Sequence, residues 1–389
     1  MILLCELSFS GRAHVPFNAG LLATIHAAYP KEQLCFSGAK THIAELKNEV
    51  GPALADSINW QEIAPPDSDA SYWERFPCEL KILRELVGIL GTDAYSRLIL
   101  TSAYPSTILA LKIARAFRPK HHCVQIILHG VSGVVGRRSK RPLLRLQDTK
   151  TAFTLFGNRG IHYLVLEQFI RDTLVNSCPL LSGKVDALEH PISPAQVELP
   201  AAELVEPIRF GFLGLADKAK GFPVFVELAD RTTERYGKRV EFHAIGHMPK
   251  NSLVMGSTSA LVSKPQGTLM SRTAFLNGVA PLHFIVLPHE ARPYTLTASG
   301  VLLDAIAWGK PVICRRIPIF ESMFRKHGDI GYLFNDDEDL IGVVEKIVEK
   351  VDDSRYRGQI DNLRNARKTR HPEALAEPYR SICLKASNQ

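Results

Sequence analysis

The sequence predicts an α/β protein made of two Rossmann-like domains, each a parallel sheet flanked by helices. Three observations predict it. Short apolar runs suited to buried strands alternate with helical runs along most of the chain, the pattern of parallel sheets with crossover helices. The length, 389 residues, exceeds what one hydrophobic core normally serves. Pro191, Pro194, Pro200 and Pro207 fall in one stretch. Proline neither donates a backbone hydrogen bond nor continues a helix, so this stretch reads as an interdomain linker; the alternative is a long surface loop inside one domain. The expected divisions are 1–195, 196–365 and a closing segment, 366–389.

In the first half, strands are expected at Ile2–Leu7, Gln33–Phe36, Ser96–Thr101, Cys123–Leu128 and Tyr163–Leu166. Helical runs fall at Ala19–Ala28, Ile43–Glu49, Leu80–Leu90 and Ser106–Phe117. In the second half the strands are Arg209–Leu213, Val240–Ile245, Phe284–Leu287 and Pro311–Cys314, with helical runs at Val224–Ala229 and from Val301 to Trp308. Asp336, Asp337, Glu338 and Asp339 precede Leu340, Val343, Val344, Ile347, Val348 and Val351, an apolar helical stripe. Acids at a helix start are explained by capping and by the helix dipole, which we weigh above metal binding. The segment Gln359–Leu384 reads as helix.

Composition is that of an ordinary globular chain, with 46% hydrophobic and 22% charged residues. No apolar run reaches the roughly twenty residues that span a bilayer. The start, Met1 to Leu7, lacks a basic leader and meets Glu6 at once, so it reads as a strand and not a signal peptide. Seven cysteines, at 5, 35, 78, 123, 178, 314 and 383, form no CxxC pair and suit buried reduced thiols. The expectation is a cytoplasmic protein with no metal and no cofactor. The net charge of +7 calls for an acidic partner. Arg137, Arg138, Lys140, Arg141 and Arg145 mixed with Leu143, Leu144 and Leu146 suit either a solvated basic loop or an interfacial segment on anionic lipid, on the inner face of the membrane. No aromatic–basic interleaving accompanies the charge, so nucleic acid is not expected.

One stretch reads as a site. Ser299-Gly300 is a small-residue turn that opens an apolar helical run, which Gly309 closes before the strand at Pro311. The first amides of such a helix have no partner and carry partial positive charge, which favours an anion such as diphosphate. The plain alternative is that Ser299 caps a buried helix and Gly309 ends it. A second element supports the anion: the strand through Phe210, Phe212 and Leu213 ends at Gly214, and a loop with Asp217, Lys218 and Lys220 leads through Gly221 into a helix. In the first half, His129-Gly130 follows the strand Val124–Leu128, which places the imidazole at a carboxyl edge, where open parallel sheets bind ligands. Gly11, Arg12 and His14 follow the first strand and form the other candidate, with Gly11 allowing close approach of substrate; a polar turn before a helix is the alternative.

Together, the strand–glycine–lysine–glycine segment and the later Gly300-Val301-Leu302-Leu303-Asp304-Ala305…Gly309-Lys310-Pro311-Val312 segment resemble the donor half of a GT-B-fold glycosyltransferase, specifically the retaining family 4 group. The resemblance covers the C-terminal half; the N-terminal half fits loosely. It implies two Rossmann-like domains facing a cleft, with the C-terminal helix returning to the first domain. It implies transfer from a nucleotide-sugar donor to a cell-envelope glycan or lipid-linked acceptor, with retention, in lipopolysaccharide or capsule polysaccharide synthesis. It assigns Lys220 to the donor diphosphate, Asp304 to the ribose hydroxyls, Ser299-Gly300 to the phosphate-facing turn and His129 to the transferred sugar or leaving phosphate; Gly214 and Lys218 complete the donor set.

Two positions depart from the family pattern. Leu215 stands where an arginine is usual and Leu296 where a first glutamate is usual. Lys218, Arg315 or Arg316 are candidates to replace the cation, and Glu290 or a backbone group the carboxylate. Asp304 is one methylene shorter than the usual glutamate. These departures keep two alternatives open: an inactive binding or regulatory protein on the same fold, and a nucleotide-sugar enzyme that is not a transferase, such as an epimerase.

Overall fold

The computed structural model describes residues 1–67, 69–90, 97–116, 124–130, 139–248, 258–268, 270–290 and 296–387. The chain forms two compact units: one holds Met1–Ala195, Leu296–Ala298 and Thr369–Gln389, the other Gln196–Thr295 and Ser299–Lys368.

The first unit runs β1 (Ile2–Cys5), α1 (Val15–Ala28), β2 (Leu34–Gly38), α2 (Lys40–Val50), α3 (Pro52–Ser57), β3 (Ile58–Glu62), α4 (Tyr72–Ile89), β4 (Arg97–Leu100), α5 (Pro105–Arg115), β5 (Val124–Leu128), α6 (Pro142–Arg145), α7 (Thr149–Thr154), β6 (Ile161–Leu166), α8 (Gln168–Ser177) and β7 (Val185–Leu188). Its seven strands are parallel in the order β3-β2-β1-β4-β5-β6-β7. Strands covered by helices on both faces are near-continuous apolar runs, and β1, β2, β5 and β6 are buried throughout, with Ser37, Gln125 and His162 as polar exceptions.

The second unit runs β8 (Ile208–Leu215), α9 (Phe222–Tyr236), β9 (Val240–His247), β10 (Leu261–Ser263), α10 (Arg272–Val279), β11 (Phe284–Leu287), α11 (Gly300–Trp308), β12 (Val312–Arg315), α12 (Pro318–His327), β13 (Gly331–Phe334), α13 (Asp337–Glu349) and α14 (Asp353–Thr369). Its six strands, also parallel, lie in the order β10-β9-β8-β11-β12-β13. Phe210 stacks on Phe242 and Phe284 across three neighbouring strands, at 5.2 and 5.8 Å between ring centroids. Phe225 of α9 closes on Phe242 from above. Each such ring, fully buried, stabilises by about 1.5–3 kcal/mol.

The last helix, α15 (Pro372–Ser387), belongs to the first unit and packs on α1. Leu375, Tyr379 and Ile382 join the core of Leu21, Leu22 and Ile25. Tyr379 donates to Gln125 Oε1 at 2.7 Å, and Arg380 Nη2 donates to the Ala28 carbonyl at 2.8 Å, where α1 ends. Beside it, Arg370 is fully buried and pairs with Glu167 at 2.6 Å.

Several boundaries differ from the sequence expectation. β1 stops at Cys5, so Glu6 and Leu7 lie beyond it; α1 begins at Val15 rather than Ala19, and α4 at Tyr72 rather than Leu80. β3, β7, β10 and β13 have no counterpart in the expected set. In both sheets the strand order reverses direction once, between β1 and β4 and between β8 and β11. The carboxyl ends at such a switch point form the crevice in which open α/β sheets hold ligands.

Candidate functional site

In the second unit the switch point is built by the ends of β8 and β11 and the start of α11. Gly214, at φ +89°, lies near the end of β8, and a Cβ placed on it would sit 3.1 Å from Lys220 Nζ. The lysine therefore reaches back over a backbone that carries no side chain. Asp217 shapes the loop that sends it there, accepting from the Lys220 amide at 2.8 Å while its carbonyl accepts from Phe222 at 3.0 Å. Gly221, at φ +76°, caps α9 and passes so close to Pro288 that a Cβ would stand 2.0 Å from the Pro288 carbonyl oxygen. The Glu290 amide donates to the Ala219 carbonyl at 3.0 Å, which ties the chain after β11 to the lysine loop.

Helix α11 starts on the same spot. Val301 Cγ2 lies 4.0 Å from the position of a Gly214 Cβ. Ser299 is the N-cap: its hydroxyl accepts from the Leu302 amide at 3.4 Å, and its carbonyl accepts from Leu303 at 3.1 Å. Among the described residues the Gly300 and Val301 amides have no hydrogen-bond partner, and the space a Gly300 Cβ would fill is open. The ammonium of Lys220 and the first turn of the nine-residue helix α11, with its two unpaired amides, thus both lie beside Gly214. Among the described residues Lys220 has no carboxylate within ion-pair distance. Burial pushes its pKa down, and the carboxylates of Asp217 and Asp304 oppose that shift.

His289, missed in the sequence, links the two motifs. It is buried, hydrogen-bonds the Lys220 backbone, and has Nε2 3.5 Å from Ser299 Oγ. Loss of water and the nearby ammonium push its pKa down to about 3. Gln196 was also missed: its amide donates to Asp304 Oδ1 at 2.5 Å. Lys218 is exposed, and its carbonyl accepts from the Gly221 amide at 2.9 Å. Arg315 donates to Asp337 at 2.6 Å and Arg316 to Glu321 at 3.2 Å, so both carry local ion pairs. Glu290 is exposed and Leu296 fully buried. Lys310 of the glycine–lysine–proline run is buried and donates to the Ala280 and Leu282 carbonyls at 2.6 and 2.9 Å, a structural bond at the end of α10; burial pushes it down to about 8. Asp336 caps α13, accepting from the Asp339 amide at 2.9 Å.

In the first unit the switch point carries a buried carboxylate. Glu6, one residue past β1, accepts from the Ser8 amide at 2.8 Å, Asn18 Nδ2 at 3.3 Å, Thr101 Oγ1 at 2.9 Å and the Ser102 hydroxyl. Around it stand four imidazoles. His14 Nδ1 is 4.0 Å from Glu6 Oε2, and its ring stacks at 3.7 Å on Phe9 and 4.2 Å on His129. His129 Nε2 donates to the Thr101 carbonyl at 2.8 Å, and the ring meets Phe17 edge-on at 4.2 Å. His190 packs on the other side of Phe17. His42 Nδ1 donates to the Gly11 carbonyl at 2.9 Å. Removal from water pushes His14, His129 and His190 down to about 3. His14 also holds φ +62° at the start of α1, an unusual conformation for a residue with a side chain. Arg12 pairs with Glu45 at 3.2 Å, and both side chains are exposed. Glu6, Asn18, His42 and His190 were not singled out from the sequence.

Of the basic segment, Arg137 and Arg138 lie outside the described residues. Arg145 donates to the Ser139 carbonyl at 2.9 Å, and Leu144 is exposed. Among the described residues no helix is long and apolar enough to cross a membrane.

No protein-family profile matches the chain, and no curated protein sequence does. Solved structures match over its whole length. Anabaena Alr3699/HepE in complex with UDP and glucose aligns with TM-score 0.67 and 11% identity, covering 99% of each chain. WaaG, a glycosyltransferase involved in lipopolysaccharide biosynthesis, aligns with TM-score 0.62 and 14% identity, covering 98% of this chain and 99% of its own. A UDP-N-acetylglucosamine 2-epimerase aligns with TM-score 0.55 and 14% identity, covering 93% of this chain and 90% of its own. With two parallel sheets of seven and six strands and these neighbours, the chain has the GT-B fold.

Proposed function

We propose that the protein is a glycosyltransferase that moves a sugar from a nucleotide-diphosphate donor to a cell-envelope glycan or lipid-linked acceptor, with retention. The observation that carries this reading is the cradle at Gly214: Lys220 Nζ lies over a glycine backbone, with Val301 of the first turn of α11 beside it and the Gly300 and Val301 amides unpaired among the described residues. When the bond between the sugar C1 and the diphosphate oxygen breaks, the electron pair stays on the diphosphate. Fixed positive groups aimed at that developing charge lower the barrier without reorganisation. The acceptor oxygen bonds to C1, and its proton passes to the departing diphosphate on the same face. Asp304 takes the ribose hydroxyls. The reading needs no metal, since the amine and amides supply the charge.

UDP in the HepE structure and the lipopolysaccharide role of WaaG agree with this donor and acceptor class. Exposed Leu144 in α6, between Arg141 and Arg145, and exposed Leu180 beside Arg159 and Lys184 support a peripheral position on anionic lipid at the inner membrane face, with polysaccharide synthesis as the setting. The epimerase match favours a second reading, donor rearrangement or hydrolysis without an acceptor. A third, donor binding without turnover, is favoured by buried Leu296 and by Leu215 in place of polar family residues.

A donor panel decides among them. UDP-, GDP-, ADP- and CMP-sugars are added, and thermal stability and nucleotide release are measured with and without acceptor extract. The proposal expects one donor class to stabilise the protein and acceptor to raise release. Release indifferent to acceptor supports the second reading, and stabilisation without release supports the third.

A further inference from the structure

We propose that Glu6 fixes His14 as the Nδ1–H tautomer, so that its Nε2 accepts a hydrogen bond from a neutral hydroxyl group, and that this site takes carbohydrate hydroxyls and refuses phosphate. The inference deepens the transferase reading by giving the chemistry of its acceptor side.

The argument is one of tautomers. A carbonyl oxygen only accepts, so any ring nitrogen bonded to one must carry the proton. That assigns His42 as Nδ1–H, bonded to the Gly11 carbonyl, and leaves its Nε2 to accept from Asn18 Nδ2 at 2.9 Å. It assigns His129 as Nε2–H, bonded to Thr101, and His190 as Nδ1–H, bonded to the Pro191 carbonyl at 3.0 Å. Among the described residues His14 alone of the four lacks a carbonyl partner. Its Nδ1 is sealed from solvent without a hydrogen bond, and the nearest charged atom is Glu6 Oε2, 4.0 Å away. A lone pair turned toward a buried carboxylate is repelled, whereas an N–H turned toward it is attracted, and the low dielectric strengthens both effects. The proton therefore sits on Nδ1.

Glu6 cannot move to suit another arrangement. Ser8, Asn18, Thr101 and Ser102 hold its two oxygens. The His14 side chain keeps 24% of its surface exposed and Nδ1 is sealed, so the exposed surface belongs to the rest of the side chain, and the proposal assigns it to the edge with Nε2. Among the described residues the titratable groups around the ring are Glu6 after β1, His42 from α2, His129 after β5 and His190 after β7. Removal from water disfavours a positive charge on the His14 ring, which keeps it neutral. A neutral nitrogen lone pair over a buried carboxylate offers no donor to a phosphate oxygen but a good acceptor to a hydroxyl. Among the described residues Arg12, the cation nearest in sequence, is paired with Glu45.

The test labels the histidine ring nitrogens of the full-length protein with ¹⁵N and assigns His14 from the signal lost in His14→Gln. At pH 7 the proposal expects Nδ1 protonated and Nε2 not. Methyl α-D-glucoside should shift Nε2, and inorganic phosphate at the same concentration should leave it in place. Glu6→Gln, which keeps shape but removes charge, should release the proton to populate Nε2. A wild-type His14 protonated on Nε2 or on both nitrogens overturns the proposal, as does a response to phosphate in place of the glucoside, or to neither. If Glu6→Gln fails to fold, the wild-type tautomer and the two titrations still decide. Failure here leaves the donor panel untouched, because nucleotide release depends on the second unit's cradle.

Discussion

At the scale of single residues, two glycines separate folding from function. Gly221 combines φ +76° with a Pro288 carbonyl 2.0 Å from any Cβ. Gly221→Ala therefore adds left-handed strain, about 1–2 kcal/mol, to a backbone clash, and should cost at least about 2 kcal/mol in urea unfolding. Gly300 is exposed, begins α11 and has open space where a Cβ would go. Gly300→Ala should leave stability within about 0.5 kcal/mol while weakening binding of a nucleoside diphosphate, since the methyl enters the space before the free amides. Equal losses of stability in both variants would contradict this division. Gly300 and Lys220 were legible in the sequence because spacing fixes them locally. Glu6 was not, since an acid after an apolar run looks like the edge of a strand; only β4, nearly a hundred residues on, supplies Thr101 and Ser102. His289 was hidden for the same reason: Lys220 and Ser299 reach it from separate elements.

At the scale of elements, strands buried on both faces announce themselves as apolar runs, and β1, β5, β8 and β11 were read near their true bounds. β3 was not, because an edge strand reading Ile58-Asn59-Trp60-Gln61-Glu62 is exposed along most of its length and carries no apolar pattern. α4 was expected only from Leu80, yet the helix begins at Tyr72 and runs through Pro77, from a start where the Ser71 amide donates to Glu74 at 2.7 Å. The capping signal Ser71-x-x-Glu74 was available in the sequence and outweighs the proline. α11 shows the opposite case. Its cap, apolar run and closing Gly309, at φ +69°, are all local, so both ends were legible. Its unpaired first amides are one consequence of the cap: among the described residues Ser299 satisfies Leu302 and leaves Gly300 and Val301 open.

At the scale of the whole molecule, acid is the weak point. His14, His129 and His190 in the first unit and His289 in the second have folded pKa values near 3, and His283 near 4, against about 6.5 in an unfolded chain. Between those values the unfolded chain binds protons that the folded chain refuses, so stability is intact above pH 6.5 and falls as pH drops toward 3. Each histidine that stays neutral costs up to about 1.4 kcal/mol per pH unit in that window. Tm should fall steeply between pH 7 and 5, with proton uptake on unfolding; a flat Tm over that range would contradict the packing of these imidazoles. The central claim concerns the second unit alone: one amine and two helix amides grip a diphosphate at Gly214. Calorimetric titration of wild type and Lys220→Ala with the nucleoside diphosphate chosen by the donor panel tests it most directly. A charge-assisted contact of this kind is worth about 1.5–3 kcal/mol, so affinity should drop about 10- to 100-fold with the fold intact. Equal affinity in the two proteins would contradict the account.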